Sequence, residues 1–194
     1  MAKSALIVVD VQRDFCEGGA LAAADTLSLL EPLKKKIEAA RSGGALIVYT
    51  QDCHPAQHSS FRTSGGPWPV HCVSGTAGAE LMAPLRAEAS DIIVHKGVGV
   101  DGAGYSGFEE TGLAQQLRKS GVERVYVSGI ATEYCVRATA LDALKEGFET
   151  LVISDLVRAV EPKETAKILE ELSSAGAKIV SSEQSLGTAK EKTV

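Results

Sequence analysis

The sequence predicts an α/β protein in which helices cover both faces of a parallel sheet. Six short apolar runs rich in β-branched residues alternate with segments of helical periodicity. The runs are continuously apolar rather than alternating, which is typical of strands that are buried on both faces. Because strand, helix and strand follow one another about five times, the strands are expected to be parallel.

The predicted strands are residues 5–10, 45–50, 91–96, 124–129, 149–154 and 177–182. Helical periodicity lies between them, at 26–43, 77–89, 111–121, 131–147 and 161–176. Several helical segments end in glycine, a common helix stop. The connections at 10–25 and 51–76 are longer than the fold requires, and a long structureless connection in a compact domain is usually functional.

The length predicts one domain, residues 1–194, and the sequence predicts a cytoplasmic protein. The net charge is −5 and no basic stripe is visible, so nucleic acid is not expected as a partner. Apolar runs such as "ALIVVDV" are too short to span a bilayer, and the first residues lack the features of a signal peptide. The four cysteines form no C-x-x-C pair and are expected to be free thiols.

Reactive residues follow four different predicted strands. Asp10 ends the first strand, Asp52 follows the second, Lys96 ends the third, and "SGIATEYC" with Cys135 follows the fourth. In an open parallel sheet, ligands bind beyond the carboxyl ends of the strands. These side chains are therefore expected to meet at one edge of the sheet.

Cys135 is a candidate nucleophile. Thr132 could cap the following helix and place Cys135 in its first turn, where the helix N-terminus can lower the pKa of a thiol and backbone N–H groups can hold an oxyanion. The alternative is a buried cysteine that acts as a small apolar residue. Asp10 could instead cap a loop, and Lys96 could be a solvated strand end. Together they offer a general base and a cation beside the thiol.

The stretch "QDCHPAQHSS" indicates a metal site. Near a strand end the side-chain period is two, so Asp52 and His54 share one face while Cys53 points to the other. His71 could close the site across the loop, and this ligand set suits zinc, iron or manganese. His58 could be a further ligand or could orient one. The alternative is a polar loop in which histidines happen to cluster.

Aromatic residues on the loops could wall a flat pocket. Trp68 is the only tryptophan, and Phe15 and Tyr105 lie on loops at the same edge of the sheet. Each of the three could instead be an apolar plug that anchors its own loop.

Five segments together resemble the nicotinamidase/pyrazinamidase family of the isochorismatase-like cysteine hydrolases: "IVVDVQRDFCEGGAL", "TQDCHPAQHSSF", "WPVHCVSGTAGAEL", "HKGVGVDGAGYSGFEET" and "VSGIATEYCVRATALDAL". The similarity covers residues 5 to about 160. The resemblance implies a three-layer α/β/α sandwich with a six-stranded, Rossmann-like sheet in the order 3-2-1-4-5-6.

The resemblance also implies the roles of individual residues. The catalytic triad is Asp10, Lys96 and Cys135. One divalent metal, with zinc expected in preference to iron or manganese, is held by Asp52, His54 and His71. The backbone N–H groups of Ala131 and Cys135 hold the oxyanion, next to a cis peptide between Ile130 and Ala131. The pyridine pocket is lined by Phe15, Trp68, Tyr105 and Tyr134. Cys53 departs from the family, which often has an aromatic residue there.

The implied reaction is hydrolysis of nicotinamide, and of pyrazinamide, to the acid and ammonia through a cysteine thioester, as a step of NAD salvage. The partner is then a small-molecule amide, and the chain is a monomer or a homo-oligomer.

Three alternatives remain open from the sequence. The first is a sister hydrolase acting on isochorismate, ureidoacrylate or N-carbamoylsarcosine, which bound metal would argue against. The second is a non-catalytic metal-binding or nucleotide-binding protein, although no G-x-G-x-x-G follows the first strand. The third is a thiol redox sensor that uses Cys135 with Cys16 or Cys72 as its resolving partner.

Overall fold

The computed structural model describes residues 3–102 and 104–186. All six predicted strands form, with shifts of a few residues at their ends: β1 (Lys3–Val9), β2 (Leu46–Asp52), β3 (Ile92–Lys96), β4 (Val122–Ile130), β5 (Glu149–Arg158) and β6 (Lys178–Val180). Four helices accompany them: α1 (Thr26–Ser42), α2 (Leu113–Lys119), α3 (Arg137–Lys145) and α4 (Thr165–Ser174). A π-helical turn, Thr132–Val136, leads directly into α3.

The six strands form one sheet in the order β3-β2-β1-β4-β5-β6, and every neighbouring pair is parallel. The predicted fold class and strand order are therefore confirmed. The chain order changes direction between β1 and β4, which are neighbours in the sheet although β2 and β3 come between them in sequence. A crevice at the carboxyl ends of such a strand pair is the usual ligand site of this architecture.

Apolar side chains on the two faces of the sheet enter two separate cores, which makes the molecule three-layered. On one face, α1 packs Leu29, Leu33 and Ile37 against Leu6 and Val8 of β1. On the other, α2, α3 and α4 cover β1, β4 and β5, with the buried residues Leu113, Leu117, Ala140, Ala143, Ile168 and Leu172. Among the residues that the structure describes, no helix has the length and apolar character that crossing a bilayer requires.

The prediction of a helix at 77–89 is wrong. Only Ala77–Ala79 forms a single 3₁₀ turn, and the peptide between Ala83 and Pro84 is cis. The backbone of this segment instead pairs with the chain that follows β1: the N–H of Arg13 donates to Glu80 O at 2.9 Å. These contacts satisfy backbone groups that a helix would have paired internally, and Pro84 has no N–H for a helical bond.

Gly129 allows β1 and β4 to approach each other near the carboxyl ends of both strands. Its φ is 110°, and an added Cβ would lie 2.1 Å from the carbonyl oxygen of Val9. We expect Gly129→Ala to lower the free energy of unfolding by about 3 kcal/mol, because strain at positive φ and a backbone clash add together. Urea denaturation measures the loss. Gly147→Ala is the matched control, since Gly147 also has positive φ but its Cβ would meet nothing within 4 Å; equal losses in the two variants would contradict the role of the clash.

Candidate active site and metal centre

The carboxyl ends of four strands bring the predicted reactive side chains together. Asp52 and Lys96 are the last residues of β2 and β3, Asp10 follows β1 directly, and Cys135 lies in the π-helical turn after β4. All four are buried. Asp10 has a φ of 48°, an unusual value for a residue other than glycine, and such conformations persist where the surrounding structure requires them.

Lys96 is the centre of this cluster. Its Nζ lies 2.8 Å from Asp10 Oδ2 and 2.5 Å from Asp52 Oδ1, and it donates to the carbonyl of Gly104 at 2.8 Å. The sulfur of Cys135 is 3.5 Å away. Burial alone would lower the pKa of Lys96, but the two carboxylates raise it well above its usual value, so the side chain is an ammonium ion.

The predicted lowering of the Cys135 pKa at a helix N-terminus is wrong for this site. Burial raises the pKa of the thiol well above its usual value; Lys96 opposes the rise, but Asp10 and Asp52 add to it. Burial also raises the pKa of Asp10, against the attraction of Lys96. A neutral thiol therefore lies next to a carboxylate of raised pKa. The carboxylate of Asp10 can accept the thiol proton as the sulfur attacks.

Thr132 does not cap the nucleophile turn as predicted. Ala131 occupies the N-cap position without a side-chain hydrogen bond, and the buried Oγ1 of Thr132 has no partner among the described residues. The turn is instead closed by backbone bonds, since the N–H groups of Tyr134 and Val136 both donate to Ala131 O. Cys135 lies in the first turn, as predicted. The peptide between Ile130 and Ala131 is cis.

Asp52, His54 and His71 form a group of potential metal ligands, with one ligand atom of each within 4.8 Å of the others. All three residues are buried. A second group, Asp10, Asp52 and Cys135, also meets this distance, but the ammonium of Lys96 already supplies its positive charge. The histidine group is therefore the better cation site.

Hydrogen bonds fix which nitrogen of each histidine faces this site. His54 Nδ1 lies 2.9 Å from the carbonyl of Gly97, and His71 Nδ1 lies 2.8 Å from that of Pro69. A carbonyl only accepts, so each Nδ1 carries a proton, and in the neutral form of either ring the lone pair of Nε2 faces the site. The two Nε2 atoms lie 3.4 and 3.9 Å from Asp52 Oδ2.

Three acceptors therefore converge in a buried space. Burial lowers the pKa of His71, so this ring remains neutral near pH 7. The ammonium of Lys96 lowers the pKa of Asp52, against the effect of burial, so this side chain is a carboxylate. Two imidazole lone pairs and a carboxylate directed at one point repel one another unless a cation lies between them. The residues present fit a divalent metal.

His58 lies outside this ligand group. Its Nδ1 is 2.7 Å from Ser60 Oγ, and its ring stacks on that of His54 with centroids 4.1 Å apart. Its buried Nε2 has no hydrogen-bond partner among the described residues. The geometry favours the alternative in which His58 supports His54.

An apolar pocket opens onto both the thiol and the metal ligands. It is lined by the predicted aromatic residues, by the nucleophile turn with the residue before it, and by the metal-ligand group: Phe15, Trp68, Tyr105, Ala131, Tyr134 and Cys135, together with Asp52, His54 and His71. Trp68 Nε1 donates to the hydroxyl of Tyr105 at 3.1 Å, and the ring of Tyr134 packs edge-on against Trp68. Such a pocket suits a small flat molecule. Cys53 is absent from its lining and borders a separate open cleft, as the strand alternation predicts.

The structure adds residues that the sequence did not single out. Leu21 and Val160 complete the apolar wall of the pocket. The hydroxyl of Thr50 donates to Asp10 Oδ1 at 2.6 Å, and the side chain of Gln12 bonds the backbone of Asp52. Gln12 lies within a quoted motif and Thr50 within a predicted strand, but neither residue type indicates such a contact by itself.

Fold and site together define the class: an α/β protein with a thiol, a carboxylate and an ammonium ion arranged for covalent chemistry on a small molecule. The Isochorismatase domain model matches residues 4–184. The chain therefore belongs to the isochorismatase family, and within it to the nicotinamidase/pyrazinamidase group, as the following relatives show.

The nicotinamidase/pyrazinamidase of Mycobacterium tuberculosis is 40% identical over 184 residues, covering 92% of this chain and 98% of that protein. The structure is similar to that of the pyrazinamidase of Pyrococcus horikoshii in complex with zinc, with a TM-score of 0.89 and 49% identity over 92% of this chain and 99% of that one. It is also similar to PnC1 from L. infantum in complex with nicotinate, with a TM-score of 0.85 and 36% identity over 94% of each chain.

Proposed function

We propose that the protein is a nicotinamidase that hydrolyses nicotinamide, and pyrazinamide, to the corresponding acid and ammonia, as a step of NAD salvage. The observation that carries the proposal is the opening of one aromatic pocket onto two sites, the Asp10–Lys96–Cys135 cluster and the Asp52–His54–His71 ligand set. Similarity to PnC1 in complex with nicotinate, the acid that the reaction forms, supports this choice of substrate.

The reaction follows from the proton positions in the cluster. Asp10 accepts the proton of the Cys135 thiol as the sulfur attacks the amide carbon, and the N–H groups of Ala131 and Cys135 hold the resulting oxyanion. Asp10 then returns the proton to the departing nitrogen, so ammonia leaves and a thioester remains. Asp10 next takes a proton from water, which attacks the thioester and releases the acid and the thiol. Lys96 keeps its charge throughout and stabilises the anionic partners.

A divalent metal held by Asp52, His54 and His71 would supply a Lewis-acid contact for the ring nitrogen of the substrate. We propose zinc as this metal, because the similar pyrazinamidase of Pyrococcus horikoshii is described with zinc. Phe15, Trp68, Tyr105 and Tyr134 enclose the ring of the substrate in this proposal.

The function is tested by incubating the purified protein with nicotinamide and measuring ammonia and nicotinic acid separately. The two products should appear in equal amounts, and pyrazinamide should also be hydrolysed. N-carbamoylsarcosine, the substrate of a sister hydrolase, should release far less ammonia. Absence of products from nicotinamide, with metal bound at about one per chain, would refute the proposed substrate.

Loss of one histidine ligand should weaken the metal site. We expect His71→Ala to raise the Kd for Zn²⁺ by about 10²-fold or more, because three protein ligands become two. The Kd is measured by competition with a chromophoric chelator. His95→Ala is the matched control, since His95 is exposed on β3 and absent from the ligand group; an equal loss of affinity in both variants would contradict the assignment of His71.

A further inference from the structure

β1 and β2 stop pairing just before the residues that carry the chemistry. Their ladder ends at the pair Val9 and Thr50, after which the N–H of Asp10 makes one last bond to Thr50 O at 3.2 Å. The positive φ of Asp10 then turns the chain out of the strand direction. In a parallel sheet, every second residue of a strand directs its N–H and C=O to the same neighbour. Asp52 lies two residues after Thr50, so its backbone groups point toward β1 where β1 has ended.

The side chain of Gln12 takes the place of the missing strand. Its Oε1 accepts the N–H of Asp52 at 2.8 Å, and its Nε2 donates to the carbonyl of the same residue at 2.8 Å. A primary amide offers one acceptor and two donors, so it can imitate a peptide group. The second donor of Nε2 bonds Ala79 O at 2.9 Å. Gln12 is fully buried, which strengthens these bonds and makes their loss costly.

The residue held in this way links the two halves of the site. Asp52 Oδ1 contacts Lys96, whereas Oδ2 faces the Nε2 atoms of His54 and His71. A rotation or shift of the Asp52 backbone would therefore move a carboxylate that must meet both sets of partners. The amide of Gln12 holds the N–H and C=O of Asp52 that point toward β1.

We propose that Gln12 is a positioning residue of the metal centre: by holding the backbone of Asp52 at both its N–H and its C=O, it sets the affinity and geometry of metal binding. The inference rests on the proposed metal site and extends it to a residue that lies outside the ligand group and outside the pocket lining. Partners that orient metal ligands typically contribute about 10-fold to 100-fold in metal affinity.

If Gln12 only stabilised the fold, its substitution would act through the hydrogen bond to the carbonyl of Ala79 instead. The segment that contains Ala79 is also held by Gln51, whose Nε2 donates to the same carbonyl at 3.1 Å. Gln51 therefore provides the matched control, because its amide shares the Ala79 contact but, among the described residues, makes no hydrogen bond to the backbone of Asp52. Gln51→Leu should leave the Kd for Zn²⁺ unchanged within about twofold. The variant should also fold like the wild-type protein.

The experiment compares full-length wild-type protein, Gln12→Leu, Gln12→Glu and Gln51→Leu after removal of metal with a chelator. The Kd for Zn²⁺ is obtained by chelator competition, and the visible spectrum of the Co²⁺ form reports ligand geometry. We expect Gln12→Leu to bind Zn²⁺ about 10-fold to 100-fold more weakly and to show a changed Co²⁺ spectrum. Gln12→Glu keeps the acceptor for Asp52 N–H but loses both donors, so it should also bind at least about 10-fold more weakly and provides the test if the leucine variant does not fold.

Each outcome has one meaning. Zn²⁺ affinity and a Co²⁺ spectrum that are unchanged in both Gln12 variants would overturn the role of Gln12 while leaving the proposed metal site intact. An equal loss in Gln51→Leu would also overturn it, because the effect would then come from the Ala79 contact. Wild-type protein that binds no Zn²⁺ would overturn the metal site and this inference together.

Discussion

Cys135→Ala should reduce kcat for nicotinamide by about 10⁵-fold, because the substitution removes the sulfur that forms the proposed acyl intermediate. The thiol is buried, neutral and in contact with Lys96, and the pocket opens directly onto it. The loss should be confined to the chemical step. The aromatic lining of the pocket and the proposed metal ligands are unchanged, so the variant should still bind the substrate with a Kd close to that of the wild type.

Release of ammonia measures the rate, and the fluorescence of Trp68 measures binding, since Trp68 is the only tryptophan and lines the pocket. Cys53→Ala is the matched control. Its thiol is only partly buried and faces the separate cleft, so this variant should keep wild-type activity. A Cys135→Ala variant with more than about one tenth of the wild-type rate would exclude a thioester mechanism.

Lys96→Met should both destabilise the protein and reduce its activity. The substitution leaves Asp10 and Asp52 buried without their counter-charge, and breaking a buried ion pair in this way costs about 3–5 kcal/mol. Activity should fall by about 10³-fold, because the cation that stabilises the anionic partners is lost. Denaturation by urea in the presence of a chelator gives the stability of the metal-free protein.

The difference in free energy of unfolding between the wild-type protein and Lys96→Met should depend on pH. The raised pKa of Lys96 stabilises the folded state below pH 10.5, its ordinary value, and this contribution is lost as the pH rises toward the folded pKa. The lowered pKa of Asp52 stabilises it above pH 3.8 and the contribution is lost as the pH falls through about 2. Wild-type protein and variant should therefore differ most between about pH 4 and pH 10.

The control is Lys36→Met, which removes a second buried lysine at a distance from the site. Lys36 donates to the carbonyls of Ser182 and Leu186, at 2.5 and 3.0 Å. This variant should lose less stability and keep its activity. A Lys96→Met variant that is as stable as the Lys36→Met variant at every pH would contradict the charge arrangement described for the cluster.

The fold was predictable because its signals are local. Runs such as residues 5–10 are apolar without alternation, and this pattern directly indicates a strand covered on both faces. Residues 77–89 show the limit of such reasoning. They contain a helical pattern of apolar residues, but contacts to residues 11–13, distant in sequence, decide their conformation.

The gathering of Asp10, Asp52, Lys96 and Cys135 was predictable for a topological reason, since parallel strands place all their carboxyl ends at one edge. The state of the thiol was not. A helix N-terminus can lower the pKa of a thiol, whereas here burial and two nearby carboxylates raise the pKa of Cys135 against the attraction of Lys96. The contact of Gln12 with Asp52 was also beyond reach, because it depends on where β1 stops pairing with β2.

The two oxygens of Asp52 point in different directions, one to Lys96 and one to the histidines. This constrains how the protein can change over generations. A lineage that dispensed with the metal by replacing Asp52 would also remove one of the two carboxylates that neutralise Lys96, and so alter the proton balance at the thiol. The proposed metal site and the charge balance at the thiol therefore share one side chain, and any substitution of Asp52 is expected to alter both.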